Sequence, residues 1–385
     1  MSTHEAAASE VAERPRIDSL TGLRFPAALA VFAYHAAGHS LPGPGHDMAL
    51  AVAGRGYVGV SFFFVLSGFV LTWSHRPDDT PRAFYRRRLA RIMPVYWLCL
   101  AAGWALLVAG TGDLMETTRD VAPSVVGLQA WFPSAAVHYG ANGPGWSISA
   151  ELFFYAMFPL LTTLTATRRG RRTLGLGAAA LMVVPSLLLH PTAPGSLDST
   201  AAWLIYICPI TRVAEFAVGI LVAHAVRRGW RPPLTTRAAL LLVLAAYVAT
   251  AFVPLWATVS LVLVVPFSWL IAAAATDDLA HRTSRWGSPA ARRLGEWSFA
   301  FYLVHASVLK VQHEVVLRLG ADPTLDQITI ALALLASVAI AAAVHRWIES
   351  PLERRWRRTP ARATLEVAGS GADRLTPRAG RGHGR

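Results

Sequence analysis

Hydrophobic positions along this chain fall into ten long blocks, not into the alternation of strands or the one-sided stripes of helices on a water-soluble surface. The blocks lie near 20–40, 57–74, 92–110, 146–166, 173–190, 203–225, 238–254, 257–275, 297–317 and 326–346. Most are close to the roughly 20 residues that an α-helix needs to cross a bilayer. The pattern predicts an all-α polytopic membrane protein of about ten transmembrane helices, spanning 20–355. Residues 1–19 read as an N-terminal cytoplasmic segment. Residues 356–385, rich in Ala, Gly, Arg, Thr and Pro and without apolar periodicity, read as a disordered basic tail.

Composition agrees with the blocks. The chain is 54% hydrophobic and 15% charged, whereas a soluble domain carries about 25% charged residues. A net charge of +13 raises nucleic-acid binding, and its distribution argues against that reading. With ten spans and an internal N-terminus, all but five of the 36 Lys and Arg residues fall on one side or at its edge. The exceptions are Arg55, Arg119 and Arg318 in the opposite loops, and Arg212 and Lys310 within spans. This is the positive-inside bias of a plasma (inner) membrane protein with both termini cytoplasmic, so no nucleic-acid partner is expected. Glu5, Glu10 and Glu13 precede Arg14, which is unlike the basic start of a signal peptide, and the first block reads as a retained span. Cys99 and Cys208 lack metal or disulfide spacing and read as packing residues. No phosphate-cradling Gly-rich loop, His-Glu-x-x-His or Gly-x-Ser-x-Gly is present, so metal, nucleotide-hydrolysis and serine-elbow chemistry have no sequence basis.

Ionisable residues inside the blocks carry the functional signal, because they are costly in lipid. Arg24 and His35 are eleven residues apart in the first block. On a helix that is about three turns, which puts both on one face roughly 16 Å apart along the axis. The pair suits a site that holds an anion near one membrane surface and moves a proton deeper in. Arg88 and Arg91 are helical neighbours where the third span begins, and guanidinium forks at that spacing suit phosphate. Topology-setting charge is the plain alternative. Glu151 falls at a depth comparable with His35 and is a candidate partner for the imidazole; bonding to Ser147, Ser149 or a neighbouring helix is equally open. Arg212 and Glu215, three residues apart, neutralise each other or face a pocket. Tyr302 and His305 lie a turn apart in the ninth block. Glu349 lies near many arginines and reads as a salt-bridge residue. Ser61 to Gly68, small residues among aromatics, reads as close helix packing. The loop 111–145 is longer than a connection requires, and part of it is expected either to re-enter the membrane or to line a mouth.

In order along the chain stand Arg24-x10-His35, Arg88-x-x-Arg91 with Ile92 and Pro94, Trp146-Ser147-x-Ser149-x-Glu151 with Phe154-Tyr155, Arg212-x-x-Glu215-Phe216-x-x-Gly219, Ser298-Phe299-x-x-Tyr302-Leu303-x-His305, and Ile348-Glu349-x-Pro351. Over residues 16–355 this set resembles the acyltransferase-3 family of membrane O-acyltransferases, which acylate bacterial polysaccharides, peptidoglycan and macrolides. The resemblance implies His35 as the base, Arg24 as its partner on the same helix, and Arg88 and Arg91 as contacts to an acyl-coenzyme A co-substrate. Glu151, from its depth, is the third catalytic candidate, and Trp146, Ser147, Tyr155, Arg212, Glu215, Tyr302 and His305 are pocket candidates. Two departures stand out: Thr21 occupies a position where many members have Asp, and Leu152 follows Glu151 where many have a second acid. The expected reaction is acyl transfer to a hydroxyl of a sugar or glycosylated natural product such as a macrolide, with a cell-envelope polysaccharide as the alternative acceptor. No permanently bound cofactor or metal is expected. A proton-coupled transporter or lipid-linked-sugar flippase using the same polar residues is the alternative of another class.

Overall fold

A computed structural model describes residues 15–76, 79–189, 199–253, 257 and 261–357. Among them every regular element is helical. Residues 1–14 and 358–385, most of the two expected terminal segments, lie outside the described residues. The principal helices are α1 (Asp18–Gly22), α2 (Arg24–His39), α3 (Gly59–Ser74), α4 (Pro81–Thr111), α5 (Leu114–Val125), α6 (Trp146–Thr165) and α7 (Arg168–Leu189). They continue with α8 (Pro209–Arg227), α9 (Thr236–Ala249), α10 (Val264–Leu279), α11 (Pro289–Arg318), α12 (Pro323–Val344) and α13 (Ser350–Arg357).

Local sequence fixes several helix starts in the same way. Thr80-Pro81, Ser288-Pro289 and Asp322-Pro323 place a capping side chain before a proline at the first helical position. Each cap oxygen accepts a backbone N–H from inside the first turn, and the proline has no N–H to leave unsatisfied. Ahead of α8, a π-turn over Trp203–Ile207 ends at Cys208, because Pro209 cannot continue the ladder. The Thr211 hydroxyl lies within hydrogen-bond distance of the Leu204 carbonyl and of the Cys208 carbonyl, the latter already accepting from the N–H groups of Thr211 and Arg212.

Six helical runs are long and apolar enough to cross a membrane: His46–Ser74, Pro81–Thr111, Gly143–Thr165, Arg168–Leu189, Thr200–Arg227 and Pro323–Arg355. The other four blocks also form helices but do not meet both measures. Helices α2, α9 and α10 have 16, 14 and 16 residues, and α11, at 30 residues, is long enough but not apolar enough. The polar residues of α11 turn inward: Ser298, Tyr302, His305 and Gln312 are all buried. Conversely, Leu176, Leu188, Phe252, Leu332 and Leu335 stand exposed, which is the outer surface of a protein whose solvent is lipid.

Helix α8 is the axis of the core and lies closest to α3. A Cβ on Gly68 would strike the Phe216 carbonyl, and one on Gly219 would strike that of Val65. Neither helix could approach so closely with a larger residue there, so Gly68 is where the close packing expected of this segment occurs. Rings fill the adjoining space, with Phe154 edge-on to Phe64 at 4.9 Å and stacked on Phe216 at 5.1 Å. On the other side, Phe25 and Phe32 of α2 hold Phe301 of α11 at 5.3 and 5.8 Å, which fixes α2 against α11. Cys99 and Cys208 are buried free thiols, as expected of packing residues.

Candidate active site

Four helices carry polar residues into the interior, and each serves two separate cavities in the same axial order. Along α2, Arg24 lines one cavity and His35 the other. Along α4 the order is Arg88 and Arg91, then Gly103 and Leu106. Along α11 it is Ser298 and Tyr302, then Ala306, Ser307 and Lys310. Helix α6 reverses the order with its direction, Trp146 lining the second cavity and Ser147, Glu151 and Tyr155 the first.

The first cavity is narrow, about 110 Å³, and gathers Arg24, Arg88, Arg91 and Glu151. Glu151 accepts hydrogen bonds from Tyr155, one turn along its own helix, at 2.5 Å and from Ser67 of α3 at 3.1 Å. Among the described residues, no carboxylate stands within ion-pair distance of Arg24 or Arg88, and the Nε of Arg88 is buried without a hydrogen-bond partner. Uncompensated guanidinium groups at the wall of a cavity are a ready binding surface for an anion. The cavity opens through Val70, Leu71, Arg88 and Arg91 into a mouth of about 600 Å³ lined also by Arg76 and Arg87. There Arg87 pairs with Asp79 at 2.7 Å and Arg91 approaches Glu353 at 3.9 Å.

The second cavity, about 690 Å³, is a chamber of aromatic side chains. Tyr34, Tyr57, Tyr206 and Trp146 follow one another at ring distances of 5.5, 5.4 and 4.9 Å. Its cationic groups are Arg55 and Lys310, and among the described residues no carboxylate lines it. The 111–145 loop contributes Tyr139, Gly140, Ala141, Gly143 and Pro144, so it lines a mouth, the second of the two expectations. The loop is anchored by Asn142, which donates to the Leu303 carbonyl at 2.9 Å, and by Gln129, which donates to the Gly145 carbonyl at 2.8 Å.

His35 does not meet Glu151. Its Nδ1 lies 3.2 Å from Nε2 of His305, with the two rings stacked at 5.1 Å, while Glu151 is held at the other cavity by Tyr155 and Ser67. Arg212 and Glu215, expected at a pocket, line neither cavity. They pair with each other at 3.0 Å, both 2% exposed, and Arg212 donates to Ser61 at 3.0 Å. The i,i+3 spacing had already allowed this. Phe64 and Tyr206 cover the guanidinium from two sides at 5.1 and 5.2 Å. Glu349, read as a salt-bridge residue, pairs with His345 at 3.0 Å. The Ser147 and Tyr302 hydroxyls lie within hydrogen-bond distance of each other, at 2.9 Å, and of the Pro144 carbonyl, so together they close the first cavity where the second begins. The sequence reading did not single out Ser67, Tyr34, Tyr57 or Tyr206. For the tyrosines the available signal was aromatic residues beside glycine at the ends of apolar blocks or just before Cys208-Pro209.

A membrane-helix scaffold with a basic cavity and, beyond it, an aromatic chamber that holds an imidazole suits a group-transfer enzyme of the bilayer. The chain belongs to the acyltransferase-3 family: the family model described as an acyltransferase domain matches residues 17–346. The chain is 36% identical over 390 residues to acyltransferase MdmB of Streptomyces mycarofaciens, a match covering 94% of this chain and 98% of that protein. It is 28% identical over 343 residues to exopolysaccharide production protein ExoZ of Rhizobium meliloti (strain 1021), covering 87% and 99% of the two. No solved structure matches the chain significantly. The protein is therefore a membrane acyltransferase that transfers groups other than aminoacyl groups.

Proposed function

We propose that the protein is a ten-span plasma-membrane O-acyltransferase, with both termini cytoplasmic. In this reading it moves an acetyl or short acyl group from acyl-coenzyme A to a hydroxyl of a sugar or glycosylated natural product such as a macrolide. One observation carries the reading: Arg24 and His35, on one helix, open onto two different cavities, and the Arg24 cavity leads to a basic mouth. Coenzyme A would place its phosphates on Arg76, Arg87, Arg88 and Arg91, where bidentate forks suit them. Its thin pantetheine arm would occupy the narrow cavity past Arg24, directed along the roughly 16 Å that separates eleven helical residues. The acceptor would lie against the aromatic chamber, where tyrosine and tryptophan faces suit sugar rings. His35 would take the proton of the attacking hydroxyl as it adds to the thioester carbonyl, and return it to the departing thiolate. Glu151, with its Oε1 held by both Tyr155 and Ser67, would set the field around Arg24 on the donor side. The acceptor class has a second reading in cell-envelope polysaccharide, favoured by the full-length match to a protein named for exopolysaccharide production.

The test is coenzyme A release by the purified protein in lipid, with labelled acetyl-coenzyme A and a panel of macrolide and glycan acceptors, wild type against His35→Ala. Acceptor-dependent release with labelled product, both lost in His35→Ala, is expected. Wild-type protein that turns over no pair, while vesicles holding it accumulate a glycoside in response to a proton gradient, would overturn the proposal.

A further inference from the structure

The geometry points to His305 as the positioning residue that sets which nitrogen of His35 carries the lone pair. The inference rests on the reading of His35 as the base and specifies how that base is prepared. His305 is fully buried, and its Nδ1 lies 3.2 Å from the carbonyl of Phe301 in the preceding turn. A carbonyl only accepts, so Nδ1 carries the hydrogen. A neutral imidazole has one N–H, which leaves the lone pair of His305 on Nε2. That Nε2 lies 3.2 Å from Nδ1 of His35. Two lone pairs do not face one another at this distance, so His35 Nδ1 donates and its own lone pair falls on Nε2. His35 lines the aromatic chamber, so Nε2 is the nitrogen left to receive a proton from a ligand there.

The surroundings keep His305 neutral. Phe32 of α2 lies 6.0 Å from its ring, Phe301 of the same helix stacks at 5.9 Å and Tyr302 sits at 6.0 Å. No carboxylate among the described residues pairs with it. An imidazolium buried there would lack compensation. If both nitrogens of His305 were protonated, His35 Nδ1 would have to accept and its Nε2 would become a donor, unable to act as a base.

During transfer the acceptor O–H proton moves to His35 Nε2 as the O–C bond forms. The C–S bond of the donor thioester then breaks, and the thiolate recovers the proton from Nε2. His35 carries a positive charge between these events, and its Nδ1–H bond to His305 strengthens without a second proton transfer. His305 thus acts through His35 and touches neither substrate.

The tautomer can be read without any substrate. In full-length protein carrying 15N-histidine in lipid, the His35 and His305 resonances are assigned by their loss in His35→Ala and His305→Phe. Both rings are expected as neutral Nδ1–H tautomers, with hydrogen-bonded exchange-protected protons. A His35 ring in the Nε2–H form, or a charged His305, would overturn the proposal. In kinetics with the pair that turns over best in the acceptor panel, His305→Phe should lower kcat on the order of 100-fold while both KM values stay within about threefold. His305→Gln, whose amide oxygen can accept at the Nε2 position, should recover about tenfold of that loss. His305→Asn, too short to reach, should not. Equal kcat for the Gln and Asn variants would sink the relay while leaving His35 as base, and it decides the matter even if His305→Phe fails to fold. Retention of transfer by His35→Ala would instead remove the base reading itself.

Discussion

The two cavities share four helices and yet differ in chemistry. At one end, three arginines and one glutamate surround a space of about 110 Å³. At the other, hydroxyl-bearing rings, two cations and two histidines surround about 690 Å³. On the proposed reading the narrow cavity would select by charge and thinness, the broad one by shape and ring faces. One consequence is that a helix with an eleven-residue polar spacing need not build a single site. Arg24 and His35 share a face of α2, and their distance along the axis assigns them to separate compartments.

If that division is functional, substitutions should sort by cavity. The largest effect belongs to the proposed base: His35→Ala should reduce kcat by about 10² to 10⁴, the usual contribution of general base catalysis, whichever substrate is varied. Next comes the donor side. Arg88→Ala should raise the KM for acyl-coenzyme A on the order of 10- to 100-fold, the worth of one charge-assisted bond, with acceptor KM unchanged. Arg88→Lys should fall between, because an ammonium keeps the charge and loses the fork. The mirror experiment is Trp146→Leu, which should raise acceptor KM by about three- to tenfold through a lost ring face and leave donor KM alone. Smallest is Tyr206→Phe, which removes one hydroxyl bonded to the Tyr57 carbonyl at 3.2 Å. It should shift acceptor KM by no more than about tenfold, the range of one neutral hydrogen bond. Steady-state kinetics with each substrate varied in turn measures all four. An Arg88 variant altered only in acceptor KM, or a Trp146 variant altered only in donor KM, would break the comparison.

Much of the fold was legible because lipid demands long apolar helices, and every one of the ten hydrophobic blocks contains a helix. Window hydropathy fell short for α11, where Ser298, Tyr302 and His305 spend their polarity inside the protein. Pairs close in sequence were also readable: Arg212 with Glu215, and Glu151 with Tyr155, follow from helical spacing. The meeting of His35 with His305 was not, since 270 positions separate them. It depends on Phe25 and Phe32 seating against Phe301. Equal depth suggested Glu151 for His35, but the two residues lie at different levels: Glu151 shares the first cavity with Arg24 and Arg88, and His35 lines the second.

The hydrogen bond between Ser147 and Tyr302 has a bearing on the cell as well as on the reaction. Placed in a bilayer with an aqueous compartment at either end, the two cavities would make most of a continuous path through the membrane, and this pair closes the remainder. A living cell stores energy as an ion gradient across that membrane. The hydroxyl pair would therefore be an insulator, keeping an opening wide enough for a thioester arm from becoming a leak of protons.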